Sequence, residues 1–174
     1  MSKLTYQQVE KFMKASIPQD IEDEILEAFA KYSIEKDMTK DDLNNYFDDL
    51  QLPKELYSKL RPEDLCIEST EVIDFEKLLQ HTFHILIFMD NEETIDTIWK
   101  LLVTQSGREI QYPNVQLKNH ILSVKDLQKL SATVGMDKST GIVEMLSVAT
   151  SGSRVYMTYI DLAYILGKLG YLSF

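Results

Sequence analysis

The chain has 174 residues, a formal net charge of −10 and a pI of about 4.7, room for one compact domain or two small lobes and no more. Its 44% hydrophobic and 26% charged residues exclude wholesale disorder, and only six glycines and four prolines argue against a many-turned β-sandwich and for helices. The acidic excess sits in residues 1–80, with 10 basic against 19 acidic groups, while residues 81–174 hold 8 against 9; such a field repels phosphate and disfavours direct nucleic-acid binding.

Residues 1–16 carry Val9, Phe12 and Met13 at helical spacing and predict a short helix or N-terminal arm. Pro18 then opens a helix whose first turn is acidic (Asp20, Glu22, Asp23, Glu24), favourable at the positive end of the helix dipole. Ile21, Ile25, Leu26, Phe29 and Tyr32 form its apolar stripe. A second helix is predicted over Leu43 to Leu50, before Pro53, and a third over Leu56 to Leu60, before Pro62. A fourth runs from Asp74 toward Asp90, and a fifth carries Ile95, Ile98, Trp99 and Leu102. Residues 104–121, with Gly107 and Pro113, read as a long connection. Helices resume at Ser123 to Val134, Gly141 to Ala149 and Tyr159 to Leu169. The expected class is all-α.

Four phrases repeat: Met38-Thr39-Lys40-Asp41-Asp42-Leu43, Ile73-Asp74-Phe75-Glu76-Lys77-Leu78, Leu122-Ser123-Val124-Lys125-Asp126-Leu127 and Met157-Thr158-Tyr159-Ile160-Asp161-Leu162. Each places an aliphatic residue before a helix-capping Thr, Asp or Ser, and ends on Leu. The final leucines lie 35 residues apart within each pair and 49 between the pairs. This is the layout of paired helix–loop–helix units, and the phrase resembles the exit of an EF-hand loop into its second helix. In such a pair the aliphatic residues of the two loops meet across a short antiparallel bridge. The predicted organisation is an arm (1–16), a first EF-hand-like pair (17–80), a connecting helix (81–92) and a second pair (93–174).

The loops lack the oxygen donors that a calcium loop supplies at positions 1, 3, 5, 7, 9 and 12. In the second, Cys66 to Lys77, a thiol stands at the first position and a lysine at the last. The fourth, Thr150 to Asp161, has Gly152, Arg154 and Val155 at positions 3, 5 and 6, and its Asp161 is one methylene shorter than glutamate. The first, Ser33 to Asp42, is two residues short, and the third is expanded, spanning roughly Val103 to Asp126. No cofactor or metal is expected, and partner binding should be constitutive.

On these phrases, on Glu144 to Gly152 and on the ending Tyr159 to Leu172, the chain resembles the calmodulin–centrin family, and within it the fungal centrin-like accessory factors of nucleotide excision repair. The resemblance implies a nuclear protein, with a cytoplasmic pool compatible, that binds and stabilises an amphipathic helix near the C-terminus of a xeroderma pigmentosum C-type damage sensor. It also implies a partner-helix groove made by Trp99, Leu102, Leu127, Leu130, Val134, Met145, Leu146, Leu162, Ile165 and Leu166. Apolar residues at these positions are equally required to hold a lobe closed, and Leu169 to Phe174 could cover the groove. The alternative is a cytoskeletal subunit, similar to a myosin light chain or spindle-pole centrin, clamping a long helix.

Other signals point away from chemistry. A single cysteine, Cys66, excludes an intrachain disulfide and fits a reducing compartment. No leader-like or membrane-spanning apolar run is evident. His81 and His84 share a helical face at zinc-compatible spacing but lack a third ligand, and read as half-buried core histidines. Without a phosphate loop, nucleophile elbow or Cys/His constellation, no enzymatic activity is expected. A protein of this kind, with no direct nucleic-acid or membrane contact, is expected to be monomeric when free.

Overall fold

The computed structural model describes residues 6–133 and 154–174. They are mostly helical, and fall into two compact units: residues 6–90 with Phe174, and residues 91–173.

The first unit contains α1 (Tyr6–Met13), α2 (Gln19–Ser33), α3 (Leu43–Asp49), α4 (Lys54–Tyr57) and α5 (Phe75–Asp90). Pro18, with φ −57°, precedes α2, and Asp20 and Glu22 occupy its first turn. Thr39 and Asp42 form a reciprocal capping box that starts the turn leading into α3. At the start of α5 the Asp74 carboxylate accepts the Lys77 amide at 3.3 Å. The third predicted helix is a single turn, Lys54–Tyr57, rather than Leu56 to Leu60. It begins directly after Pro53, whose fixed φ suits a helix start.

The first two phrases meet. Ile73 N–H donates to the Met38 carbonyl at 2.8 Å and Lys40 N–H to the Glu71 carbonyl at 3.0 Å, so the buried Met38 and Ile73 lie opposite each other beside the Thr39–Val72 bridge. The core beneath is Phe12, Ile25, Tyr46, Phe47, Leu78, Ile85 and Phe88. The Tyr46 hydroxyl lies 3.0 Å from Thr82 Oγ1, which donates to the Leu78 carbonyl at 2.8 Å, so the buried phenol is satisfied. The N-terminal arm belongs to this core. Phe12 is fully buried and stacked on His84 at 4.6 Å, and His84 Nε2–H donates to the Phe12 carbonyl at 3.0 Å.

The second unit contains α6 (Glu92–Ser106), α7 (Arg108–Gln111), β1 (Ile121–Ser123), α8 (Val124–Thr133), β2 (Tyr156–Thr158) and α9 (Tyr159–Lys168). Gly107 ends α6 with φ +79°, a left-handed conformation that glycine adopts without strain. The connection predicted over 104–121 is therefore partly helical: α6 runs three residues into it, to Ser106, and α7 adds a turn after the glycine. The strands β1 and β2 pair antiparallel with Leu122 opposite Met157. The second pair of phrases thus meets through its aliphatic residues, as the first does. After α9, Gly170 (φ +80°) turns the chain, Leu172 is buried, and the Asn91 side chain holds Ser173 by two hydrogen bonds of 2.8 and 2.9 Å. The helix expected over Gly141 to Ala149 lies outside the described residues.

Candidate partner-helix site

The second unit is built around α6, which packs against α8, α9 and the expanded loop. Trp99 anchors it. The indole is fully buried, meets Tyr159 edge-on at 6.1 Å, and donates from Nε1 to the Leu117 carbonyl at 2.8 Å. Burial, and then the hydrogen bond and charge of Asp96, push the Tyr159 phenol well above its ordinary value, so it stays a donor to Asp96 Oδ1 at 2.6 Å. Lys118 pairs with Glu92 and, at 3.7 Å, with Asp96, and its ammonium lies over the Tyr159 ring at 5.4 Å. The expanded loop is therefore fastened along α6 through Leu117 and Lys118.

The ten predicted groove residues divide by burial. Trp99, Leu162 and Leu166 are buried within the unit and serve its core. Leu102 on α6, Leu127 and Leu130 on α8 and Ile165 on α9 are half-buried: each presents part of an aliphatic side chain to solvent while the rest packs. Val134, Met145 and Leu146 lie outside the described residues. The structure thus brings four partly accessible aliphatic side chains onto three packed helices.

Two ionic constellations flank the β1–β2 sheet. Asp126 accepts Ser123 N–H and Ser123 Oγ–H, both at 2.8 Å, and Arg108 Nε–H at 2.8 Å. Asp161 accepts Thr158 N–H at 2.8 Å, Thr158 Oγ1–H at 3.0 Å and Arg154 Nη2–H. Burial raises the Asp126 carboxyl, but the Ser123 amide and Arg108 outweigh it and hold the group below its ordinary value. At Asp161 burial prevails over the Thr158 amide and Arg154, and the carboxyl sits above its ordinary value.

Arg154 and Asp161 were legible only as a calcium loop spoiled at positions 5 and 12; opposite charges at those two places were the available signal for a pair. Arg108 had none, since it returns to Asp126 across 18 residues of expanded loop. In the first unit, Lys77 Nζ donates to the Cys66 carbonyl at 2.9 Å, so the lysine closing that loop binds its first residue. Burial raises the Cys66 thiol, keeping it protonated. Among the described residues no group of three His, Cys, Asp or Glu side chains is placed to hold a metal ion. His84 is engaged with Phe12, and His81, edge-on to Phe47 at 6.3 Å, is pushed down to about 3 by burial and then by His84. No helix among the described residues is long and apolar enough to cross a membrane.

The Rad33 family matches residues 62–139, which take in the second phrase, α5, α6, the expanded loop and α8. The chain is also similar to the DNA repair protein RAD33 of Saccharomyces cerevisiae, 48% identical over 176 residues that cover 99% of each chain. No solved structure matches it. With that identity sustained over nearly the whole length of both chains, the protein belongs to the Rad33 family of DNA repair factors.

Proposed function

We propose that this repair factor is a non-catalytic, calcium-independent adaptor that binds and stabilises an amphipathic helix near the C-terminus of a xeroderma pigmentosum C-type damage sensor, in nucleotide excision repair and in the nucleus. The observation that carries the reading is the set of half-buried aliphatic side chains, Leu102, Leu127, Leu130 and Ile165, on three helices packed together. A helix with apolar anchors at i, i+3 or i+4, and i+7 would complete their burial. Each large anchor contributes roughly 1.5–3 kcal/mol, against an association cost of about 4–15 kcal/mol. Sub-micromolar affinity therefore needs contacts beyond three anchors.

The same reading treats each unit as an EF-hand-like pair. It is supported by the opposition of Met38 with Ile73 and of Leu122 with Met157, and by capping residues after each. Family membership favours the repair role over the cytoskeletal clamp. The test is calorimetric titration of the full chain with the C-terminal helix of its own species' damage sensor, in chelator. Binding should be unchanged by calcium and weakened about tenfold or more by Leu127→Ala or Ile165→Ala. No binding in either condition would refute the adaptor role; binding that requires calcium would refute its metal independence.

A further inference from the structure

The chain has three arginines, Arg61, Arg108 and Arg154, and two of them end on equivalent carboxylates. Arg108 reaches Asp126 and Arg154 reaches Asp161. Each of those carboxylates also caps the helix that follows its strand: Asp126 binds the amide of Ser123, the last residue of β1, and Asp161 that of Thr158, the last residue of β2. The guanidinium carbon of Arg108 lies 5.2 Å from the Tyr112 ring centre and that of Arg154 lies 5.5 Å from the Tyr156 ring centre. The Asp–Arg–Tyr arrangement therefore occurs twice, its carboxylates at opposite ends of the two-stranded ladder.

Ordinary surface pairing does not account for it. The Arg108 and Asp126 side chains are 17% and 8% exposed, and Arg154 and Asp161 19% and 7%, whereas the helical pair Lys14–Glu10 is 74% and 41% exposed. Partly buried charges are retained where both partners are held and hydrogen-bonded. The two arginines also arrive by unrelated routes, one from 18 residues upstream in the expanded loop and the other from 7 residues upstream in the shorter one. Different loops that deliver the same cation to the same place argue that the cation at that place matters.

We propose that Arg108 and Arg154 are tethered cations: each clamps the carboxylate at the exit of its loop, holding the β1–β2 sheet and the starts of α8 and α9 in one conformation without a dissociable divalent ion. A cation carried by the chain has no concentration dependence, so the state it fixes is permanent. The planar guanidinium suits the task better than an ammonium, because its fork is pre-organised for a carboxylate while its face rests on the tyrosine. The expanded loop acquires a role as the arm that returns Arg108 to Asp126. This inference does not depend on which partner the protein binds.

Amide hydrogen exchange in β1 and β2 of the full chain tests it, with Arg108→Met, Arg154→Met and the corresponding Arg→Lys variants. Wild-type protection should be the same in chelator and in excess calcium. The Met variants, which keep the apolar stem and lose the charge, should exchange about 10- to 100-fold faster in those strands, and the Lys variants should stay closer to wild type. Protection in the Met variants equal to that of the Lys variants would overturn the proposal, as would wild-type protection that falls in chelator. Should a Met variant fail to fold, Asp126→Asn and Asp161→Asn carry the same comparison, since each removes the charge and turns one oxygen into an amide donor while leaving the other to accept the capping amide; protection equal to wild type in both would overturn it.

Discussion

At the scale of single residues, Trp99 and His81 give the sharpest expectations. Trp99→Phe keeps an aromatic ring in the core but leaves the Leu117 carbonyl without its indole donor. That half-buried carbonyl still accepts the His120 amide at 3.3 Å, so the loss is one hydrogen bond, about 0.5–1.5 kcal/mol, and the urea midpoint should fall. Circular dichroism is the appropriate probe, because the chain's single tryptophan disappears with the substitution. His81 titrates at about 3 in the folded chain against 6.5 when free. Between those values the unfolded state binds more protons, so stability is lost as pH falls from about 6.5 toward 3. Partial exposure of the residue limits the effect to about 1–2 kcal/mol at pH 4.5. Melting curves of wild type and His81→Gln across that window should show a shallower pH slope for the variant. The depressed carboxyl of Asp126 acts in a lower window: its contribution is present above about 3.8 and is lost as pH falls through its folded value. The histidines were legible as core residues because helical spacing puts both on the apolar side of α5.

Secondary-structure elements were the most readable level. The starts of α2, α3, α5, α8 and α9 follow a proline or a capping Thr, Asp or Ser, all of which act within three or four residues of the helix end. Thr158→Ala removes the hydroxyl that accepts the Asp161 amide at 3.3 Å, and should cost about 1 kcal/mol. Thr158→Ser should retain most of that stability in the same thermal melts. Gly107→Ala should destabilise by about 1 kcal/mol, since φ +79° is strained for any residue with a Cβ even though open space surrounds the position. The errors at this level were of extent. The helix expected over 56–60 is one turn at 54–57, and the connection expected over 104–121 contains α7. Apolar spacing marks a helix's buried face, but packing decides where its ends fray.

For the molecule as a whole, charge and family membership set the expectations. A net charge of −10 predicts that fluorescence anisotropy of labelled duplex DNA at low salt will not change on addition of the protein, because no surplus of cations is present to displace condensed counterions. An unchanged signal is the outcome the proposed adaptor role requires, and a rise in anisotropy would count against it. The ten-residue groove prediction was only partly structural information. Resemblance to the calmodulin–centrin family could name Leu162, Leu166 and Trp99 with Leu102, Leu127, Leu130 and Ile165, but neither it nor helical periodicity could separate the buried three from the accessible four.

The sequence by itself determined the helical class and the two pairs of capped loop exits, because periodicity and caps are local and survive without knowledge of the fold. Tertiary structure alone decided which distant groups meet: Phe12 with His84, Trp99 with Leu117, and Arg108 with Asp126. Those partners are 72, 18 and 18 residues apart, and nothing in their spacing favours one pairing over another. Long-range contacts form where apolar burial closes a loop at an acceptable entropic cost, and polar groups carried inside must then find whichever partner the packing has brought near.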